Sequence, residues 1–197
     1  MTRKAFGYLA IAAVLVGAWL VGVTDLGTLL TLGAGVTVFG MILDERTEFA
    51  DAVSVAAAAG TALIGDVIDL TVARNIGNGK PVYLVITVDT EIITAGAAGT
   101  LVFQLVSDAQ AAIAIDGTAT VHFASRSFVT DDAGANDAEL NVGGVPVCVA
   151  LPLEGIKYER FLGILAVTVT TTTTAGKINA FLTTNPKQWK ALPDGIA

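Results

Sequence analysis

Apolar positions recur with a period of two residues in the middle of the chain. In residues 81–90 every second position from Val82 to Val88 is aliphatic, and residues 100–107 repeat the pattern from Leu101 onward. Successive side chains of a β-strand point to opposite faces, so this period predicts two strands that are each buried on at least one side.

Four further segments are predicted to be strands: residues 118–123, 145–151, 161–172 and 176–183. The last two are predicted to form a hairpin, because Ala175 and Gly176 lie between two β-branched runs. Residues 51–63 have the composition of either a helix or an extended arm. Since turn residues separate the segments and no convincing helix lies between them, the predicted fold class is all-β, a single β-sandwich or jelly roll.

The first forty residues follow a different pattern. Residues 5–24 are 20 residues without a charge, and residues 26–43 are 18 more, separated from the first run by Asp25. Either run is long enough to cross the roughly 30 Å of a bilayer's hydrocarbon core as a helix. Arg3 and Lys4 precede the first run, so the positive-inside tendency predicts a helical hairpin with both ends in the cytoplasm. A secretory signal peptide fits less well, because the first run ends without a clear cleavage site.

Met41 is the position at which the pattern changes. Residues 1–40 carry two basic groups and one acidic group, whereas residues 41–197 carry nine and 17, so the net charge changes from +1 to −8. Residues 1–40 are therefore a membrane anchor, an apolar arm buried in an assembly, or upstream sequence read in frame before the true start. We expect the functional protein to begin at Met41, with one domain over residues 41–197.

The acidic balance of that domain restricts its partners. It argues against a nucleic-acid partner, because no basic cluster is present to displace counterions from phosphates. It favours a partner that is neutral or basic where the two proteins touch. Cys148 is the only cysteine, which excludes an intrachain disulfide, and its apolar neighbours predict a buried, inert thiol in a protein made in a reducing cytosol.

Catalytic and metal-binding patterns are sparse in this sequence. The single histidine, His122, lies in an alternating strand and is interpreted as a half-buried structural residue. Residues 77–80 contain two glycines and a lysine, but they lead into Pro81 and a strand, so a tight turn is predicted and not a phosphate loop. Residues 131–139 are acidic yet lack the spacing of a calcium loop, and they are expected to face solvent or basic residues of a partner. We expect no enzymatic activity, no cofactor and no metal.

Several short motifs, in order along residues 41–197, resemble the Bbp16-like family of tailed-phage capsid cement proteins. They are Met-Ile-Leu-Asp at 41–44, Ile-Asp-Leu at 68–70, Arg-Asn-Ile-Gly-Asn-Gly-Lys-Pro-Val-Tyr-Leu at 74–84, Phe-Gln-Leu-Val-Ser-Asp at 103–108, Leu-Pro-Leu at 151–153, Lys-Tyr-Glu-Arg-Phe at 157–161, Ala-Gly-Lys-Ile at 175–178 and Trp-Lys-Ala-Leu-Pro-Asp-Gly at 189–195. The apolar residues 1–40 depart from the family pattern, in which members begin at the Met-Ile-Leu-Asp segment.

The resemblance implies a jelly-roll protein, made in the host cytoplasm, on the outer surface of the virion capsid. There it would tie neighbouring major capsid protein subunits together, as a homodimer. The resemblance also implies an N-terminal arm over residues 41–49 and a C-terminal tail over residues 189–195, both candidates for contact with a neighbour. The interface candidates are Met41, Ile42, Leu43, Phe49, Trp189, Leu192 and Pro193.

Two alternative hypotheses belong to other functional classes. In the first, residues 5–43 anchor a β-sandwich binding module to a membrane. In the second, the sandwich processes glycans, which requires two carboxylates converging in a cleft.

The expected start at Met41 can be tested by the intact mass of the protein purified from its native source. We expect a mass that is lower than the mass of the full sequence by the mass of residues 1–40. A mass that includes those residues would contradict the expectation and leave the anchor and the buried arm as the alternatives.

Overall fold

The computed structural model describes residues 45–76, 79–96, 98–131, 136–152 and 157–186. Within these ranges the chain forms nine strands: β1 (Glu48–Ser54), β2 (Gly60–Asp69), β3 (Tyr83–Thr94), β4 (Gly99–Asp108), β5 (Thr120–Ala124), β6 (Phe128–Thr130), β7 (Val147–Ala150), β8 (Phe161–Val169) and β9 (Thr173–Thr183). Two 3₁₀ turns, Glu45–Thr47 and Ala138–Leu140, accompany the strands, and no α-helix is present in these ranges. The all-β prediction is confirmed.

The strands form two antiparallel sheets. The first, sheet A, has the order β1-β9-β3-β7, and the second, sheet B, has the order β2-β8-β4-β5. Strand β6 pairs with β4 at residues 99–101, beyond the end of β5, so β5 and β6 together occupy one edge position. With β5 and β6 counted as one broken strand, this is the strand order of a jelly roll.

The core lies between the inner faces of the two sheets. Strand β3 contributes Leu84, Ile86 and Val88, strand β4 contributes Leu101, Phe103 and Leu105, and each of these side chains is at most 2% exposed. Burial of one such side chain is worth about 1.5–3 kcal/mol. The period-two pattern that predicted these strands is therefore the pattern of the core.

One prediction about strand pairing is wrong, and one open alternative is decided. Strands β8 and β9 do not form a hairpin, because β8 pairs with β2 and β4 in sheet B while β9 pairs with β1 and β3 in sheet A. The chain crosses between the sheets at Thr170, whose φ is +78°. Of the two alternatives for residues 51–63, the extended one agrees with the structure, since pairing of β1 with β9 and of β2 with β8 overrides the helical preference of alanine.

The prediction of a buried Cys148 thiol is also wrong. Cys148 is exposed, whereas the preceding Val147 is 2% exposed and belongs to the core. Strand alternation turns Val147 inward and Cys148 outward on β7, which lies at the edge of sheet A. An apolar run on an edge strand does not imply burial of both faces.

No helix in the described part of the chain is long and apolar enough to cross a bilayer. Residues 5–43, for which a membrane hairpin was predicted, lie outside that part. The hairpin therefore stays a prediction.

At Gly65 the backbone of β2 lies close against that of β1. Its φ is +67°, and a Cβ atom there would lie 1.9 Å from the carbonyl oxygen of Phe49. We expect Gly65→Ala to lower the free energy of unfolding by about 3 kcal/mol or more, from backbone strain and steric overlap together. Urea denaturation measures this change.

The matched control is Gly117→Ala. Gly117 also has a positive φ, +92°, but no atom lies within 4 Å of the position that a Cβ atom would take there. In this variant the free energy of unfolding should fall only by the backbone strain energy, about 1–2 kcal/mol. Equal losses in the two variants would show that the contact with Phe49 contributes nothing.

Candidate functional site

Two rows on the outer face of sheet B consist of valine and threonine and contain no charged side chain. Cross-strand registers place Val129, Thr100 and Val169 in one row, and Val102, Val167 and Thr61 in the next. Val121 lies beside Val106 at the adjoining edge. We call the exposed and half-buried members of this surface the valine face: Thr61, Thr100, Val102, Val121, Val129, Val167 and Val169.

The valine face is open to solvent although it is apolar. Val121 and Val169 are each 50% exposed, and Val129 is 40% exposed. Antiparallel sheets with one solvated face normally alternate apolar residues inward and polar residues outward. Single exposed valines need no explanation, but several on one uncharged sheet face are typical of a surface that another protein covers.

The loop of residues 109–119 covers the rest of this sheet face. Ile113 is 6% exposed and lies over Gly163, where a Cβ atom would come within 2.5 Å of the Ile113 Cδ1 atom. Val106, Ala119 and Leu165 complete this small second cluster of buried residues. The loop thus supplies a local core on one half of the face and leaves the valine face uncovered on the other half.

The carboxylate of Asp108 holds the loop in place. It accepts hydrogen bonds from the backbone N–H groups of Gln110 at 2.9 Å and Ala114 at 3.0 Å. These two bonds, with that of Ala114 the larger effect, lower the pKa of Asp108. The position of Ile113 on the sheet therefore depends on an ionised carboxylate at the end of β4.

A cleft of about 260 Å³ lies between this loop and the sheet. Its walls include Gln104, Ala114, Val121 and Val167. Ile115, which is 52% exposed, also lines it. The cleft is continuous with the valine face and has the size and character to receive an apolar side chain of another protein.

His122 is half-buried, as the sequence suggested. Its Nε2 atom is 2.7 Å from the Oγ atom of Ser107, and Ser107 Oγ also accepts a hydrogen bond from the backbone N–H of Glu159 at 3.1 Å. The imidazole packs on the ring of Tyr158 with a centroid distance of 4.1 Å. Burial lowers the pKa of His122, and the nearby Glu159 carboxylate opposes that shift. This arrangement supports the segment that leads into β8.

The same segment holds the start of β8 against the end of β2. Tyr158 is fully buried, and its hydroxyl donates a hydrogen bond to the carbonyl of Pro152 at 2.8 Å. Arg160 donates two hydrogen bonds to Asp69, at 2.9 and 2.8 Å. These bonds, followed by the hydrogen bond from the backbone N–H of Thr71, lower the pKa of Asp69 to about 2. Tyr158 and Arg160 therefore have a structural role in this segment.

The described carboxylates of the acidic segment 131–139 are used within the domain. Arg126 pairs with Asp137 at 2.8 Å and with Glu139 at 3.0 Å, and its guanidinium lies 4.2 Å from the Phe128 ring centroid. Asp137 also accepts a hydrogen bond from the backbone N–H of Val129 at 2.7 Å. Asp137 and Glu139 are therefore ion-paired within the domain, and contact of this loop with basic residues of a partner stays a prediction. Within the described ranges, no three histidine, cysteine or acidic side chains form a group that could hold a metal ion.

The predicted interface residues have two outcomes. Phe49 is 1% exposed and packs in the core of its own domain, so its side chain is not offered to a neighbour. The remaining candidates lie outside the described residues and stay predictions: Met41, Ile42, Leu43, Trp189, Leu192 and Pro193.

The valine face was not among the sequence-based candidates. A signal for it exists in β4 and β8, where aliphatic residues occupy both faces of the strand. Such a pattern shows only that both sides are apolar. It does not show which side is the core and which is the outer surface.

The architecture and this surface define a class of protein: a two-sheet jelly roll whose most distinctive described feature is an uncharged, solvent-exposed apolar sheet face. The family model named Bbp16 matches residues 49–182, which run from the second residue of β1 to the next-to-last residue of β9. The match covers more than half of the chain and nearly the whole jelly roll, so the chain belongs to the Bbp16 family. A search of curated proteins found no match.

The environment of His122 predicts a loss of stability in mild acid. Because burial lowers its pKa below the ordinary value of 6.5, the folded protein binds fewer protons near that pH than the unfolded chain does. The contribution of neutral His122 to the free energy of unfolding is complete above about pH 6.5, and it is lost as the pH falls through the pKa of the folded state. Urea denaturation between pH 7.5 and 5 should therefore show a falling free energy of unfolding.

His122→Gln should flatten that dependence, since glutamine has no titrating group. Some carboxylates, Asp69 among them, have lowered pKa values. Their protonation reduces the free energy of unfolding only as the pH falls toward and below the ordinary value of 3.8, so it does not obscure the effect of His122 between pH 7.5 and 5. An unchanged pH dependence in His122→Gln would rule out this assignment.

Proposed function

We propose that this protein is a capsid cement protein of a tailed bacteriophage. In this proposal it binds the outer surface of the shell of major capsid protein, as a homodimer, and stabilises the shell by bridging neighbouring subunits. Membership of the Bbp16 family, whose name suggests a phage protein, supports the phage setting. The observation that carries a role in protein contact is the uncharged valine face on the outside of sheet B.

The charge of the domain favours the valine face as the contact between two copies. Residues 41–197 carry a net charge of −8, so two copies repel each other wherever their charged surfaces approach. The valine face has no charged member and can be brought against its own copy without desolvating a carboxylate. A two-fold symmetric dimer places the same surface on both partners, which suits a face whose rows are all valine and threonine.

Binding to a shell then stabilises it by mass action. A protein that binds the assembled shell, and not its separated subunits, raises the free energy needed to open the shell. A dimer that touches two subunits at once gains avidity from contacts that are individually weak. Such a role uses no catalytic group and no cofactor, and it places the protein on the outside of the virion after synthesis in the host cytoplasm.

The function is tested with capsids from the parent phage. We expect the protein to copurify with mature capsids at a fixed ratio to the major capsid protein. We also expect capsids assembled without it to lose packaged DNA at a lower temperature. Capsids that withstand heat and internal pressure equally well without the protein would refute the proposed function.

The contact between two copies is tested with charges on the valine face. We expect the double variant Val129→Asp/Val169→Asp to raise the dimer dissociation constant by about a hundredfold or more, because each new carboxylate must be desolvated opposite a like charge. Sedimentation of the full chain at several concentrations measures the shift from dimer to monomer.

Val142→Asp is the control for this experiment. Val142 is 69% exposed and lies between Ala138–Leu140 and β7, outside the valine face. It should leave the dimer unchanged. If the double variant dimerises as tightly as the wild type, the valine face is not the contact between copies.

A further inference from the structure

A groove opens on the side of the jelly roll where β1 and β2 lie at the edges of their sheets. Strand β1 begins the order of sheet A and β2 begins that of sheet B, so neither has a hydrogen-bonded neighbour strand beyond it among the described residues. The groove has a volume of about 870 Å³ and is separate from the valine face. Its walls come from residues 46–51 on one side and residues 66–71 on the other.

Carboxylates dominate the charge of this groove. Glu48, Asp51, Asp66 and Asp69 line it, against the single lining cation Arg46. Asp69 is bound by Arg160, outside the lining. Asp51 and Asp66 are both exposed, and neither forms an ion pair with a described residue.

The charges of Asp51 and Asp66 are not compensated by an ion pair with a described residue. At the other described acidic cluster, Asp137 and Glu139 share the guanidinium of Arg126. At the groove, Asp51 on β1 and Asp66 on β2 both line the opening, where carboxylates outnumber the lining cation Arg46. Clefts lined by one sign of charge concentrate ligands of the opposite sign.

The strand edges themselves are poorly suited to pair with an added strand. The pairing of β1 with β9 is interrupted by register shifts on both sides of Ala50, and Ala52 has a φ of +49°. Strand β2 has its own register shift between Ile64 and Ile68. Irregular edges of this kind oppose continuous β-pairing, so side chains and not the backbone must provide recognition here.

We propose that this groove binds a segment of the capsid shell protein that carries lysine or arginine side chains, with Asp51 and Asp66 as its ion-pair partners. The inference rests on the proposed function and adds the chemistry of the partner. The volume is that of a small-ligand cleft and admits the side chains of a few residues. Two like-charged copies of this chain are poor occupants, because the domain as a whole is acidic.

The test uses the full chain, with shells assembled from the major capsid protein alone and, separately, an octalysine peptide. The variant is Asp51→Asn/Asp66→Asn, which removes both charges and keeps their size. We expect it to raise the dissociation constant for shells about fivefold to thirtyfold, which is the loss expected when two partly exposed ion pairs are removed. We also expect wild-type binding to fall more steeply with salt than binding of the variant.

The control is Asp89→Asn/Glu91→Gln, which makes the same change of charge on β3, outside the groove. It should leave shell affinity within about twofold of wild type, because its charges act on the shell only at long range through screening salt. Sedimentation of both double variants checks that each remains dimeric.

The outcomes separate the two proposals. If the wild type binds shells and Asp51→Asn/Asp66→Asn binds them equally well, the groove inference is overturned while the proposed function stands. If the wild type does not bind shells, the proposed function fails and the octalysine titration decides the groove: binding that the variant loses supports a site for basic side chains, whereas absent or equal binding overturns it.

Discussion

The structure depends on the apolar layer between two central strand pairs. Strands β3 and β9 form the middle of sheet A, and β4 and β8 form the middle of sheet B. Their inward side chains are almost completely shielded from water. All other strands are placed relative to this layer: β1 and β7 at the edges of one sheet, and β2, β5 and β6 at the edges of the other.

Polar contacts at the periphery fix the connections between the strands. Arg160 ties the start of β8 to Asp69 at the end of β2, and the His122–Ser107 contact supports the buried ring of Tyr158. Exposed ion pairs contribute little stability on their own. Here their effect is positional, because they hold loop ends that the apolar layer does not reach.

The two outer features of the domain have opposite character. The valine face is apolar and uncharged, whereas the groove between β1 and β2 is acidic. A protein that must bind both its own copy and a larger assembly benefits from surfaces that do not compete for one partner. This division is consistent with the proposed bridging function, since one surface can be occupied while the other remains available.

The sequence by itself determined the main strands, the all-β class and the acidic character of the domain, because alternation and charge are local properties of the chain. It could not determine that β8 and β9 lie in different sheets, since a hairpin and a crossing between sheets both join consecutive strands. Cys148 was placed wrongly for a related reason: a strand has two faces, and only the packing of distant strands decides which one becomes the core. The valine face and the acidic groove likewise exist only because the tertiary structure covers one side of a sheet and leaves another side or edge open.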